Sequence, residues 1–265
     1  MQGNSRGQEK AVLFFQKKQP GIFEKMSEDN KNRLQLVLAP GLLCTADLFR
    51  DQIAALSGRA DIHIVDTMGM GSVQAMAEKV LQEIDGRFVA IGLSMGGYVA
   101  LTLAQLAPQR VAGLGLLSTN AEADTEAKKQ QRRDLIALSK MGKFKGVTPR
   151  LLPRLLSLQG QQDDQLVARV LAMAEAVGQA NFTSQQEAIM GRADRRGDLP
   201  QLSMPSLVLC GREDSLTPPE QSQEMAGLLP DCELRLLDGV GHLSSMEAPE
   251  AVSAALAALL DRAAA

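Results

Sequence analysis

From residue 33 onward, short apolar runs alternate with longer amphipathic stretches, and no other feature restricts the fold so strongly. The runs fall at 33–38, 61–65, 88–93, 114–117, 207–210 and 234–237. Helical spacing of apolar residues fills the gaps at 46–57, 72–85, 95–107, 218–229 and 247–262. Short unbroken apolar runs suit strands buried on both faces, and a helix after each strand supplies the crossover that parallel pairing needs. The expected class is therefore α/β, a mainly parallel sheet with helices on both faces.

One interval breaks this rhythm. Residues 120–199 hold no strand signal, only helical segments punctuated by Gly142, Gly146, Pro149, Pro153, Gly160 and Gly178. A helical cap inserted between the fourth and fifth strands, over one edge of the sheet, is the expectation. The core then comprises 31–119 and 200–265. Residues 1–30 mix polar residues, Gly and Pro without sustained periodicity, which reads as a disordered N-terminal extension with Met26 as an internal candidate start.

Composition narrows the function classes. Hydrophobic residues make up 45% and charged residues 22%, enough for a large core in a globular protein. A net charge of −3 and a single Tyr without Trp argue against nucleic-acid binding. Three cysteines, Cys44, Cys210 and Cys232, form no C-x-x-C pair and read as reduced thiols. The apolar stretches at 11–15 and 251–260 are too short for an export signal core or a bilayer span, so a cytoplasmic, membrane-free protein is expected. Only two histidines occur, His63 and His242, which argues against a polyhistidine metal site.

Gly92-Leu93-Ser94-Met95-Gly96 stands where the third strand should pass into a helix. This is a G-x-S-x-G nucleophile elbow in the strand–turn–helix setting the motif requires; the plainer alternative is a Gly-rich turn without chemistry. The turn forces a strained backbone on Ser94, and larger residues at 92 and 96 would collide with the strand and helix. A nucleophilic serine needs a base. His63 lies within a strand pattern and reads as packing, whereas His242 follows the sixth strand on a loop, where open α/β sheets place their chemistry. Asp214, on the loop after the fifth strand, is the candidate orienting acid, and neighbouring Glu213 should point elsewhere. The chain order Ser94, Asp214, His242 is the one the elbow motif accompanies. For the oxyanion, the N–H of Met95 is one expected donor. The second should come from the loop after the first strand, with Leu42 preferred and Leu43 as fallback.

Four stretches carry a family resemblance: LAPGLLCTADLF at 38–49, VAIGLSMGGYVALTLAQLAPQRVAGLGLLST at 89–119, PSLVLCGREDSLTPPE at 205–220 and GVGHLSSMEAPE at 239–250. With the helices between them, the chain resembles the α/β-hydrolase superfamily across 33–262. It looks most like small cofactor-independent ester hydrolases, in the branch with pimeloyl-carrier methyl ester carboxylesterases, enol-lactonases and carbon–carbon bond hydrolases. The resemblance implies Ser94 as nucleophile, His242 as base, Asp214 as orienting acid, and no metal or organic cofactor. Two loops depart from the pattern. Pro40-Gly41 stands where many relatives have His-Gly, and the 66–72 loop lacks the histidine common in their Gly-His-Gly.

Substrate choice should lie with the inserted helices. Phe182, Gln185, Gln186, Ile189, Met190 and Arg192 recur at helical spacing, with Leu43, Met173 and Met190 as candidate pocket lining. Lys128, Lys129, Arg132, Arg133, Lys140, Lys143, Lys145, Arg150 and Arg154 outnumber Glu122, Asp124, Glu126 and Asp134. The plain reading is a solvated basic face. The sharper one is docking of an acidic acyl carrier or a carboxylate-bearing substrate. The expected activity is hydrolysis of a small-molecule carboxylic ester through an acyl-enzyme. Alternatives are a carbon–carbon hydrolase, lyase or acyltransferase on the same residues, or a non-catalytic receptor of this fold.

Overall fold

A computed structural model describes residues 34–142 and 144–265. The N-terminal extension, Met26, Arg33 and Lys143 lie outside the described residues. Six strands, β1 (Gln35–Ala39), β2 (Asp61–Ile64), β3 (Phe88–Leu93), β4 (Val111–Leu117), β5 (Ser206–Gly211) and β6 (Cys232–Leu237), pair in the order β2-β1-β3-β4-β5-β6. Every pairing is parallel. The direction of winding reverses between β1 and β3. Beyond the carboxyl ends of two such strands a crevice opens, because their following connections leave on opposite faces of the sheet.

The strand residues divide between two cores by the period-two rule. On β1 and β3, Leu36, Leu38, Val89, Ile91 and Leu93 face one side, and Val37, Ala39, Phe88 and Ala90 face the other. Each large side chain among them contributes roughly 1.5–3 kcal/mol by leaving water. One side is covered by α1 (Arg50–Leu56) and α9 (Pro249–Ala264), the other by α2 (Val73–Glu83), α3 (Met95–Leu106) and α7 (Pro219–Leu228).

The expected helix at 46–57 opens as a 3-10 turn, Ala46–Phe49, before α1, and β6 begins two residues before its apolar run. Two further differences have a clear local cause. Strand β4 begins three residues earlier than the apolar run at 114–117, because Gly113 and Gly115 dilute its hydrophobic signal. A Cβ at Gly115 would come within 2.5 Å of Ile91, so the bare backbone makes room for the neighbouring strand's side chain. The last helical stretch is split into α8 (Ser244–Glu247) and α9, since Pro249 has no N–H to carry a helix through and instead opens the next one.

Between β4 and β5 the regular elements are helical: α4 (Glu126–Ser139), the single turn α5 (Leu152–Leu155), α6 (Asp164–Met190) and two short 3-10 turns. Thr125 caps α4 and Asp163 caps α6 through side-chain acceptance of backbone N–H groups. Gly178, at φ 72°, breaks the long helix α6 into two parts. Among the described residues no helix is long and apolar enough to cross a membrane.

Candidate active site

Ser94 joins the end of β3 to α3 with φ 55° and ψ −116°, a conformation ordinary residues avoid. Tight packing enforces it. A Cβ at Gly92 would lie 1.9 Å from the carbonyl oxygen of Gly96, and one at Gly96 would lie 1.8 Å from that of Ala39. Beyond the turn, Thr119 donates its hydroxyl to the Ser94 carbonyl at 2.8 Å. Ser94 is thus the half-exposed tip of an otherwise buried strand–helix junction.

His242 lies on the loop between β6 and α8 and is buried. Its Nδ1 is 2.8 Å from Oδ2 of Asp214, whose side chain is entirely enclosed. Oδ1 of Asp214 accepts from the N–H groups of Leu216 and Thr217, both at 2.9 Å. The Thr217 hydroxyl donates to Oδ2 at 2.7 Å and lies 3.3 Å from the His242 ring. Burial pushes the Asp214 pKa up, but His242 and the N–H and hydroxyl donors outweigh it and hold the carboxyl below its ordinary range. Neighbouring Glu213 turns away and accepts from the N–H of Leu158 at 3.0 Å.

Ser94 and His242 line one cavity of about 350 Å³ at the winding reversal, with Asp214 behind the histidine. Leu42, Leu43, Met173, Val170, Phe182 and Ile189 form much of its apolar wall. Met190, expected in that wall, is not part of it. One residue further along α6 turns a side chain by about 100°, and Ile189 occupies the position instead. Cys44 also lines the cavity, but burial pushes its thiol up to about 12, so it stays protonated at neutral pH. His63 sits half-buried on the edge strand β2, opposite Val37 and outside the cavity.

The loop after β1 packs directly on the serine, with the position of a Gly41 Cβ only 3.4 Å from Cβ of Ser94. Its turn is closed by the Cys44 N–H to the Gly41 carbonyl at 3.1 Å, and Leu43 takes φ 60° within it. The Leu43 N–H is occupied, donating to Oε1 of Gln185 at 3.0 Å. Among the described residues no acceptor takes the N–H of Leu42. Met95, the first residue of α3, has no acceptor within its own helix.

A family model for the alpha/beta hydrolase fold matches residues 35–249. The chain belongs to that family. Among its relatives is a pimeloyl-acyl-carrier-protein methyl ester esterase of Nitrosomonas europaea, 29% identical over 84% of this chain and 94% of the relative. A solved thermophilic esterase from Thermogutta terrifontis superposes with a TM-score of 0.80 at 26% identity, covering 88% of this chain and 91% of its own. The enol-lactonase from Burkholderia xenovorans LB400 shares the fold, with a TM-score of 0.78 at 23% identity over 88% and 94% of the two chains.

Several groups of this α/β-hydrolase-fold chain escape a reading of its sequence. Asp124 has a fully enclosed side chain between Arg132, 2.6 Å away, and Arg192, 2.9 Å away. Burial raises its pKa, yet the two guanidinium groups prevail and hold it below the ordinary value. Arg192 also lies over the Tyr98 ring at 4.2 Å. These two arginines, Lys128 and Arg154 line the cavity against the single carboxylate of Asp124, giving that wall a positive excess. The surplus of basic residues was legible in the sequence; the pairing of Asp124 with arginines 8 and 68 residues away was not. Thr217 is likewise missed, and Gln185, though named among the residues at helical spacing, gives no local sign of its bonds to Leu43 and Thr67.

Proposed function

We propose that this chain is a serine hydrolase of carboxylic esters. The observation that carries the reading is Ser94, held at φ 55° at the mouth of a cavity that it shares with His242, the latter bonded to buried Asp214 at 2.8 Å. Membership of the α/β-hydrolase family and the esterase names of its relatives support hydrolysis as the reaction type.

In this reading His242 accepts the Ser94 proton as the hydroxyl oxygen attacks the ester carbonyl. Negative charge gathers on the carbonyl oxygen and meets the N–H groups of Met95 and Leu42. The imidazolium passes its proton to the departing alcohol, and the same histidine then activates the water that releases the acid. Asp214 keeps the Nδ1–H tautomer aimed away from the serine and stabilises the transient cation. Thr217 shares that duty by fixing the carboxylate. No step requires a metal or an organic cofactor.

The helices between β4 and β5 act as the cap that selects the acyl group. Arg132, Arg192, Lys128 and Arg154 on the cavity wall favour an ester whose acyl part carries negative charge, and the relatives named for a pimeloyl-acyl-carrier ester fit such a substrate. Covalent labelling by a fluorophosphonate together with hydrolysis of p-nitrophenyl esters tests the proposal. Both should vanish in Ser94→Ala, with turnover falling by about three orders of magnitude or more. Wild-type protein that neither labels nor turns over an activated ester would overturn it. Turnover confined to vinylogous diketones would favour the carbon–carbon hydrolase instead.

A further inference from the structure

The loop that carries His242 is bonded to the inserted helical segment on both sides of the histidine. Immediately after it, the Leu243 N–H donates to the carbonyl of Leu155 at 3.1 Å. Immediately before it, the Gly241 N–H donates to Oε1 of Glu247 at 3.0 Å, and Oε2 of the same carboxylate accepts the Ser157 N–H at 2.8 Å. The two strands of chain approach so closely that a Cβ on Gly241 would lie 2.6 Å from the Ser157 nitrogen. A Cβ on Gly160 would lie 2.5 Å from Oε2 of Glu247. The carboxylate is therefore confined, with one backbone donor for each oxygen. Glu213 ties the next residue, Leu158, to the loop that carries Asp214.

We propose that Glu247 is a positioning residue for His242. Its carboxylate sets the height of the histidine loop above Ser94 by joining the N–H before the histidine to the 155–158 segment. That segment follows α5, whose Arg154 and Leu155 line the cavity. Correct seating of the inserted helices and correct aim of the base thus become one structural event.

Only a carboxylate fits both donors. An amide in its place accepts from one N–H and turns its own NH₂ toward the other, leaving a buried donor unpaired. Burial raises the Glu247 pKa, while the Ser157 and Gly241 donors favour the charged form and the nearby Glu213 opposes it. The proposal rests on the reading of His242 as the general base.

The test uses the full-length chain with His63→Gln, which leaves His242 as the sole histidine and a single imidazole signal in ¹³C-histidine NMR. In Glu247→Gln on this background, the His242 Cε1–H signal should shift or split without any substrate present. The kcat for p-nitrophenyl acetate should fall about tenfold or more while KM stays within about threefold, since misplacing a base harms chemistry more than binding. Gly160→Ala, which crowds Oε2 while leaving the carboxylate in place, should move both readouts in the same direction. Parental signal and kcat in either folded variant, whatever happens to Tm, would overturn the proposal and reduce Glu247 to a structural staple. A parent that hydrolyses nothing while the imidazole signal still responds to Glu247→Gln would overturn the esterase reading and leave the positioning role standing.

Discussion

Gln185 and Leu43 are 142 residues apart in the chain, yet the side chain of one holds the backbone of the other: the Leu43 N–H donates to Oε1 of Gln185 at 3.0 Å. Nε2 of the same glutamine donates to Oγ1 of Thr67, also at 3.0 Å. One fully buried side chain thereby secures both the 40–44 loop and the 66–72 loop. It also holds Leu43 at φ 60°, a conformation that costs a leucine about 1–2 kcal/mol, while the neighbouring Leu42 N–H, the proposed oxyanion donor, has no acceptor among the described residues.

Gln185→Leu removes both hydrogen bonds at similar volume. The Leu43 turn should relax, and kcat for an activated ester should drop about tenfold, equivalent to about 1.4 kcal/mol of transition-state stabilisation. Steady-state kinetics on p-nitrophenyl acetate check this. An unchanged kcat would mean that the turn keeps its shape without the glutamine.

Gly92→Ala and Gly96→Ala should each prevent accumulation of folded protein, because the added methyl would sit within 2 Å of a backbone carbonyl oxygen. Gly58→Ala is the control. Apart from its own chain neighbours, nothing lies within 4 Å of its added methyl, so its stability should change by no more than about 0.5 kcal/mol. Soluble yield and thermal melting separate the two outcomes, and a well-folded Gly96→Ala would contradict the packing of the elbow.

The two histidines should behave differently on replacement. His242→Gln is expected to lose about three orders of magnitude in kcat/KM, whereas His63→Gln, altered on a half-buried edge strand, should keep most of its activity. Equal losses would show that the wrong histidine has been assigned as base.

Asp214 also makes stability depend on pH with a defined sign. Its pKa is held below the ordinary 3.8, so the folded chain takes up this proton less readily than the unfolded one. The stabilisation is fully present above the ordinary value and is lost as pH falls through the lowered native one. Tm measured between about pH 5 and pH 2 should therefore decline more steeply in wild type than in Asp214→Asn. Glu247 runs the other way. Its raised pKa favours the protonated fold, and this part of the stability disappears as pH rises through the native value. Parallel Tm curves for wild type and Asp214→Asn would remove Asp214 from the account.

Much of the molecule follows from local sequence. The six apolar runs and the helices between them reflect periodicities of 2 and 3.6 that each segment carries by itself. The elbow is equally local, since Gly92 and Gly96 flank Ser94 and need no distant partner to be recognised. Asp214 and His242 could be singled out because each follows a strand, and strand ends are visible in the chain. Tertiary structure alone decided the strand order that opens the crevice between β1 and β3, the enclosure of Asp124 by Arg132 and Arg192, and the exclusion of Met190 from the cavity in favour of Ile189. The grips of Gln185 on Leu43 and of Glu247 on Gly241 and Ser157 belong to the same group. A hydrogen bond or ion pair between distant residues depends on where the packed core brings two backbones, and the residues that make it carry no periodic or neighbouring mark of their partner.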